Sequence, residues 1–292
     1  MKKAIRIFGF VLIGLGALTA VSLAAQSEGQ RTTAGYLIQW TRVLMDQSRT
    51  GTSMATADNV AEALGTFDGT TYVAPNGRRF KENTVTARVA RALLDVQPAM
   101  AEVKTVVGFA PEAMLRQAPE CALYDMIADA LMAAVEKTSG KKVDFALTNR
   151  GGIRIDMPQG DVLIDDIRSM MPFNNYMVYL ELRGADIRLV LEQLAADPMF
   201  QVIGGARVKI KDGKLLSVEI GGKPLDDRRL YGVATNTFVL NGGDGINMAR
   251  NAQAIDIYDI KLGDVLMDYV NALTAAGLPI VYQADGRVTV EE

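Results

Sequence analysis

The chain has 292 residues, of which 49% are hydrophobic and 22% charged, a balance typical of a globular protein with one or two domains. Its net charge of −3 has both signs interspersed and does not indicate a nucleic-acid-binding surface. The chain contains no histidine, which excludes Ser-His-Asp and Cys-His catalysis and the usual histidine-bearing metal centres within it. Carboxylate sites for Mg²⁺ or Ca²⁺ stay open.

Residues 1–25 have the pattern of a signal peptide. Three positive residues within the first six precede an apolar stretch, and small residues that suit a signal peptidase follow it. The apolar run is also nearly long enough to span a bilayer, so an uncleaved anchor through residues 7–25 is the alternative. In either case we expect the rest of the chain outside the cytoplasm, periplasmic or secreted.

Residues 26–83 are predicted to form a small N-terminal segment, for which the sequence suggests no function. The apolar spacing from Tyr36 to Leu44 predicts an amphipathic helix, and turn signals around Thr71–Val73 predict a small hairpin. Residues 84–103 are predicted to form a linker-like helix that ends near Pro98. Its apolar residues on one face are Val85, Val89, Ala92, Leu93 and Val96.

Residues 104–292 are predicted to form the main domain. The apolar patterns indicate strands at 104–110, 143–147, 175–183, 230–235, 280–282 and 287–290, and two strands around a turn within 201–220. They indicate helices at 121–137, 185–195 and 261–275, and a partly helical segment at 161–171. Hairpins beside crossover connections predict an α+β fold with mixed sheets and flanking helices.

One motif follows the strand predicted at 143–147. Residues 147–154 read Leu-Thr-Asn-Arg-Gly-Gly-Ile-Arg. Gly151 and Gly152 allow a sharp turn that brings backbone amides close to a ligand, and Arg154 can pair with a carboxylate or phosphate over the same turn. Taken alone, the pattern is more typical of a strand-ending turn with a solvated arginine.

Two further stretches have the character of ligand loops. Residues 171–175 place Phe173 after a proline and before a strand, and residues 238–245 place Phe238 ahead of a glycine-dense loop. The candidate binding residues in that loop are Asn241, Gly243 and Asp244. Taken singly, the two phenylalanines are typical of core rings and the aspartate of a turn.

The three motifs together supply a complete set of groups for one ligand. Phe173 and Phe238 are flat rings, Asn149 is an amide, Arg154 a guanidinium and Asp244 an acid. Such groups can hold a purine or pyrimidine base between rings and bind ribose hydroxyls. Stacking on an aromatic ring is worth about 1–3 kcal/mol per base and accepts any base.

In this order, the motifs resemble the C-terminal domain of the 5′-nucleotidase family, which includes ecto-5′-nucleotidase and bacterial periplasmic UDP-sugar hydrolase. The resemblance runs from about residue 103 to 282 and implies a layered α/β/β/α domain that binds the nucleoside part of the substrate. It implies that Phe173 and Phe238 sandwich the base and that Asp244 binds ribose. Asn149 and Arg154 match the asparagine and the final arginine of the family's first motif.

A further arginine of the family lies shortly before the helix that matches residues 121–137. Arg116 is the nearest candidate for it, and Gln117 aligns about as well. Family members favour Asn-x-Gly at the start of this helix, where this chain has Ala-Leu-Tyr-Asp at residues 122–125. The chain therefore departs from the family pattern on the phosphate side of the pocket.

Full-length relatives also carry a metallophosphatase domain that holds two metals with Asp, His and Asn. Here about eighty residues separate the signal from the resemblance, and they contain no histidine. We therefore expect no catalytic residue, metal or cofactor in this chain. It is predicted to bind nucleotides in extracytoplasmic nucleotide catabolism, with a separately encoded metallophosphatase supplying two divalent metals.

A stand-alone nucleotide-binding or sensing protein is the main alternative, and a scaffold whose pocket no longer binds is a third. A split enzyme predicts an exposed apolar face on residues 84–103 or in the N-terminal segment. A stand-alone binder predicts a polar surface there. The relic scaffold is disfavoured because the chain retains Arg154, Phe173, Phe238 and Asp244 together.

Overall fold

The computed structural model describes residues 59–197 and 200–291, together with two short antiparallel strands, β1 (Gln30–Arg31) and β2 (Leu37–Ile38). The targeting segment predicted at residues 1–25 lies outside the described residues. The helix predicted between Tyr36 and Leu44 is wrong where its residues are described, because Leu37 and Ile38 form β2. Pairing with Gln30–Arg31 overrides the helical spacing there.

A small unit of helices and strands follows at residues 59–95. Its elements are α1 (Val60–Leu64), β3 (Thr66–Asp68), β4 (Thr71–Val73), β5 (Arg79–Lys81) and α2 (Val85–Asp95). The three strands form one antiparallel sheet, which contains the predicted hairpin. Tyr72 lies at its centre, with its ring centroid 5.5 Å from that of Phe67 and 6.0 Å from that of Phe80.

Helix α2 turns its small residues inward and its large apolar residues outward. Ala87 and Ala90 are buried with the three-stranded sheet, whereas Val85, Val89 and Leu93 are 67%, 54% and 48% exposed. The helix ends at Asp95, close to the end predicted near Pro98, and two 3₁₀ turns continue to Lys104. Pro98 explains this end, because proline cannot donate a helical hydrogen bond. The apolar stripe predicted from sequence is present, and it is exposed.

The main domain alternates strands and helices. Its strands are β6 (Val106–Ala110), β7 (Phe145–Thr148), β8 (Gly160–Leu163), β9 (Tyr176–Arg183), β10 (Val202–Gly204), β11 (Ala206–Lys211), β12 (Lys214–Ile220), β13 (Lys223–Pro224), β14 (Leu230–Asn236), β15 (Ala254–Lys261) and β16 (Val288–Glu291). Its helices are α3 (Ala122–Ser139), α4 (Ile164–Met170), α5 (Gly184–Ala195), α6 (Thr237–Leu240) and α7 (Leu262–Ala275). Within the described parts of the chain, no helix is both long and apolar enough to cross a bilayer.

Two mixed sheets organise this domain. The five-stranded sheet has the order β10-β7-β14-β9-β15, in which β7 and β14 are parallel and the other pairs antiparallel. The four-stranded sheet has the order β13-β12-β11-β16, with β11 and β16 parallel. Strands β6 and β8 form a separate antiparallel ribbon. The predicted α+β class with mixed sheets is confirmed.

The inner strands of the five-stranded sheet are buried on both faces. Alternate residues of β9 point to opposite sides, so that Met177 and Tyr179 pack in a core with α3 and α7, and Val178 and Leu180 pack in a second core. The second core also contains α5 and the inward face of the four-stranded sheet. One face of the five-stranded sheet thus packs against α3 and α7, and the other face packs against α5 and the four-stranded sheet.

Two details differ from the sequence prediction. Strand β15 was not predicted, although its isoleucines alternate with polar residues, and it is an edge strand that pairs with β9. The strand predicted at residues 280–282 is wrong, since these residues have no regular structure. Instead, the Ile280 backbone N–H donates to the Phe109 carbonyl at 2.8 Å and the Tyr282 hydroxyl donates to Asp129, which anchors the segment without strand pairing.

Candidate functional site

Four chain segments meet at one edge of the five-stranded sheet. Strands β7 and β14 run parallel, so their last residues, Thr148 and Asn236, lie at the same edge. Strand β9 is antiparallel to β14, and Met177 near its start pairs with Asn236. Strand β10 is antiparallel to β7, and Val202 at its start pairs with Thr148. The loops that carry the three sequence motifs therefore lie at this edge, which we term the loop edge.

The first motif forms a 3₁₀ turn directly after β7. Asn149 is buried, and residues Arg150–Gly152 make the turn. A Cβ on Gly152 would come within 3.0 Å of the Asn149 Oδ1, so the asparagine side chain lies against the glycine backbone. A side chain at Gly152 would force the amide aside. This close approach explains the second glycine of the motif.

Arg154 connects the first motif to the second. Its backbone N–H donates to the Met170 carbonyl at 2.9 Å, and its Nη1 donates to the Gly151 carbonyl at 3.0 Å. Its Cζ lies 5.8 Å from the centroid of the Phe173 ring, within the range of a cation–π contact. Phe173 itself is 47% exposed in the loop between α4 and β9. The structure thus brings these two predicted site residues together.

The third motif begins with the short helix α6. Phe238 lies in this helix and is 38% exposed. A Cβ on Gly243 would lie 2.3 Å from the Phe238 ring, so the ring rests directly on the glycine. The Asn241 backbone N–H donates to the Thr237 carbonyl at 3.1 Å, which closes the helix. Gly243 is therefore needed to seat the Phe238 ring.

Asp244 presents its carboxylate from an unusual backbone conformation. Its φ of 54° is in the left-handed region, which aspartate tolerates better than most residues. The Gln201 Nε2 donates to its Oδ2 at 3.2 Å. Gln201 also accepts a hydrogen bond from the Arg150 backbone N–H, at 2.7 Å. The acid of the third motif is thereby joined to the turn of the first.

Asn236 is the last residue of β14, and its buried side chain forms hydrogen bonds with the first and third motifs. Its Nδ2 donates to the Thr148 Oγ1 at 2.8 Å and to the Asn149 Oδ1 at 3.2 Å, and its Oδ1 accepts from the Val239 N–H at 3.0 Å. The neighbouring Thr237 accepts from the Tyr176 N–H at 3.0 Å. Neither Asn236 nor Gln201 was predicted from sequence, because single polar residues beside strands give no periodic signal.

Arg116 lies beside the first motif. Its Nε and its backbone N–H each donate to the Asp156 Oδ1 at 2.9 Å, and its Nη1 donates to the Ile153 carbonyl at 3.1 Å. Burial raises the pKa of the nearby Tyr124 hydroxyl, and the cations Arg150 and Arg116 partly offset that rise. The Tyr124 hydroxyl therefore lies near two arginines on this side of the loop edge.

An acidic cluster lies at the start of α3, and none of its residues belongs to the three motifs. Oxygens of Glu120, Asp125 and Asp285 lie within 4.8 Å of one another. Burial alone would raise the pKa of Glu120, but backbone N–H donors, among them those of Val288 and Gly286, lower it overall. Burial raises the pKa of Asp125 to about 8, and its hydrogen bond to Glu120 adds to the rise.

The guanidinium of Arg287 is the cation that pairs with the acidic residues of this cluster. It is buried and lies 3.5 Å from Asp125, 2.7 Å from Asp129 and 3.1 Å from Asp285. Because these acidic groups already have an internal cation and backbone N–H donors as partners, we assign the cluster a structural role, which is to fasten the C-terminal segment onto α3. The single cysteine, Cys121, precedes α3, and burial raises the pKa of its thiol, which disfavours a nucleophilic role.

The chain matches a known family model. Residues 99–251, just over half of the chain, match the model described as 5′-nucleotidase, C-terminal domain. The match contains all three motifs at the loop edge and also Arg116. The resemblance predicted from these motifs is confirmed.

Curated relatives match over part of their length. The chain is 28% identical over 290 residues to the cell wall protein Lmo0130 of Listeria monocytogenes, covering 87% of this chain and 36% of that protein. It is 35% identical over 126 residues to protein UshA of Yersinia enterocolitica, covering 41% of this chain and 22% of that protein. The chain thus spans well under half the length of these relatives.

Solved structures show the same fold. The 5′-nucleotidase precursor from Thermus thermophilus superimposes with a TM-score of 0.62 and 24% identity, covering 74% of this chain and 45% of that one. The NAD nucleotidase of Haemophilus influenzae superimposes with a TM-score of 0.53 and 17% identity, covering 90% of this chain and 48% of that one. In both cases about half of the neighbour's chain lies outside the superposition.

Proposed function

The chain belongs to the family of the 5′-nucleotidase C-terminal domain, and from this premise we propose that it binds a nucleotide or nucleoside at the loop edge. One observation carries the proposal: two phenylalanines, Phe173 and Phe238, are exposed on loops that meet there. Phenylalanine is a residue that folding normally buries, and two half-exposed rings beside charged groups suit a flat ligand.

Each remaining group has a chemical role in this proposal. The two rings stack on the base, and each stacked ring contributes about 1–3 kcal/mol. Asp244 accepts hydrogen bonds from the ribose hydroxyls, and Asn149 holds the glycine turn beside the ligand. Arg154, whose charge lies next to Phe173, faces the anionic side of a nucleotide.

We place the chain outside the cytoplasm, in nucleotide breakdown. The targeting pattern of residues 1–25 supports this location. A relative that aligns over 87% of this chain is named a cell wall protein, and others are named 5′-nucleotidases. Whether residues 1–25 are cleaved or retained as an anchor, the ligand is then an extracytoplasmic nucleotide.

Hydrolysis of the bound nucleotide is assigned to a separate metallophosphatase that carries two divalent metals. The absence of histidine from this sequence supports a separate catalytic centre. The exposed stripe on α2 supports a protein partner, because Val85, Val89 and Leu93 form an apolar face in the unit that precedes the main domain along the chain. A stand-alone binding or sensing protein, the alternative, would leave this apolar stripe without a use.

Calorimetric titration tests the binding half of the proposal. The chain recovered from the extracytoplasmic fraction would be titrated with adenosine, AMP and UDP-glucose. We expect binding that Phe238→Ala weakens by about ten- to a hundredfold, which is the loss of one stacking ring. Phe109→Ala is the matched control, since Phe109 is 51% exposed on β6, outside the three motifs. Absence of binding to all three ligands would overturn the assignment.

An enzymatic assay tests whether a separate metallophosphatase supplies the hydrolysis. We expect no phosphate release from AMP by the chain with Mn²⁺ or Zn²⁺, and release when the extracytoplasmic fraction of the source cells is added. A variant with Val89→Lys and Leu93→Lys should lose this stimulation and keep its affinity for adenosine. Phosphate release by the chain alone, or equal stimulation of the variant, would contradict the separate catalytic partner.

A further inference from the structure

Gln201 lies at the loop edge immediately before β10 and is 8% exposed. Its Oε1 accepts from the Arg150 N–H at 2.7 Å, and its Nε2 donates to the Asp244 Oδ2 at 3.2 Å. Arg150 starts the turn of the first motif, and Asp244 is the acid of the third. One buried amide therefore links two loops that are distant in sequence.

The two partners determine which side chain can occupy this position. A backbone N–H requires an acceptor, and a carboxylate requires a donor, which are the two halves of a glutamine amide. Glutamate of the same length offers no donor when ionised, and methionine offers neither group of comparable strength. Because the residue is buried, a replacement that loses either bond leaves a polar group without its partner.

The loop that carries Asp244 gives the carboxylate little other support. Gly242 and Gly245 have φ values of 85° and 73°, and Asp244 between them has a φ of 54°. No regular strand or long helix continues through this turn. The bond from Gln201 orients the carboxylate through Oδ2, and the remaining acceptor sites can take hydrogen bonds from a ligand.

We propose that Gln201 is a positioning residue for ribose recognition: it holds Asp244 in register with the first glycine turn, so that the carboxylate meets the ribose hydroxyls. The inference rests on the proposed function, since it assigns Gln201 a part in the same site. It acts through Asp244 and does not require a contact between Gln201 and the ligand.

Comparing the binding of two nucleosides distinguishes a role of Gln201 in ribose recognition from a general contribution of Gln201 to the stability of the fold. Adenosine has both ribose hydroxyls, and 2′,3′-dideoxyadenosine lacks them. We expect wild-type protein to prefer adenosine. In Gln201→Met the affinity for adenosine should fall about tenfold or more, which corresponds to one lost hydrogen bond to a charged group. The affinity for the dideoxy compound should stay within about twofold.

Further variants test whether Gln201 acts through Asp244. Gln201→Glu keeps an acceptor for the Arg150 N–H and places a carboxylate against Asp244, so it should also remove the preference for adenosine. Adding Asp244→Asn to Gln201→Met should cost little more than either change alone, because the two residues act as one unit. Gln193→Met is the matched control. Gln193 donates to the Gly245 carbonyl of the same loop at 3.0 Å, and its loss should leave the preference intact.

The possible outcomes distinguish failure of the proposed function from failure of the inference about Gln201. Wild-type protein that binds neither nucleoside overturns the proposed function, and this inference falls with it. Wild-type protein that prefers adenosine, together with folded Gln201 variants that keep the preference or lose both ligands equally, overturns the inference alone. Melting temperatures confirm folding, and Gln201→Glu supplies the comparison if Gln201→Met does not fold.

Discussion

Asn236 donates from its Nδ2 to the Oδ1 of Asn149 at 3.2 Å, and both side chains are buried beneath the loop edge. The same residue accepts from the Val239 N–H at the start of α6, the helix that carries Phe238. One amide therefore fixes the asparagine of the first motif and the aromatic ring of the third. This connection explains how two loops distant in sequence keep one relative position.

Replacing Asn236 with leucine should destabilise the protein. The change leaves Thr148, Asn149 and the Val239 N–H without their buried partner, and we expect a loss of about 2–4 kcal/mol in the free energy of unfolding. Urea unfolding followed by circular dichroism measures it. Asn247→Leu, at an exposed position, is the control and should change stability by less than about 0.5 kcal/mol. Equal midpoints for the two variants would contradict the role of Asn236.

The main elements and the three ligand loops could be predicted from sequence for a physical reason. The strands β7, β9 and β14 are rich in apolar residues and buried almost throughout, as expected for strands covered on both faces. Glycine-dense turns follow β7 and β14, and parallel pairing of these strands brings both turns to one edge. The local pattern predicted each loop, and the sheet order explains why they meet.

The residues that join these loops could not be predicted in the same way. Gln201 and Asn236 are single polar residues, and the hydrogen bonds by which they join different loops reach partners more than forty residues away along the chain. Only the three-dimensional pairing of β10 with β7 and of β14 with β7 brings them into place. For α2, periodicity indicated an apolar face but not whether that face is buried. Its small residues Ala87 and Ala90 pack inward instead.

Gly243→Ala should weaken ligand binding by displacing the Phe238 ring. The new Cβ would lie 2.3 Å from the ring, so the ring or the loop must move. We expect the affinity for adenosine to fall about tenfold or more, since the stacking of one ring is lost. Calorimetry measures the affinity, and a melting temperature confirms that the variant is folded.

Gly151→Ala provides a steric comparison for this variant. A Cβ at Gly151 would have its nearest neighbour, the Asn149 Nδ2, at 3.9 Å, which is ordinary van der Waals contact. We therefore expect the alanine at Gly151 to leave the melting temperature unchanged. Unaltered adenosine affinity in Gly243→Ala would show that the Phe238 ring is not held by this contact.

Arg287→Met should destabilise the attachment of the C-terminal segment. The guanidinium is buried, and its removal leaves the carboxylates of Asp129 and Asp285 without their counter-charge. Because these two partners are partly exposed, we expect a loss of about 2–3 kcal/mol, the range for hydrogen bonds to charged groups. Denaturant unfolding measures the loss. Arg207→Met, which removes an exposed arginine 3.7 Å from Asp285, should cost less than about 1 kcal/mol, and comparable losses would refute the distinction.

Asp125 should make the stability of the protein depend on pH. Burial is the main cause that raises its pKa from 3.8 to about 8 in the folded state. Between these two values the folded protein holds one proton more than the unfolded chain at this residue. Stability from this group is therefore complete below pH 3.8 and is lost as the pH rises through about 8. The slope approaches about 1.4 kcal/mol per pH unit within that window.

Asp125→Asn removes the titrating group and keeps its shape, so it should flatten this part of the pH profile. Unfolding free energies at intervals between pH 4 and 9 would show it. Asp259→Asn, a change at an exposed aspartate on β15, should leave the profile unaltered. The difference between wild type and Asp125→Asn should grow in favour of the asparagine as the pH rises, because asparagine cannot lose a proton in the buried cluster. A wild-type stability that stays level across this range would show that Asp125 is ionised in the folded protein, paired with Arg287.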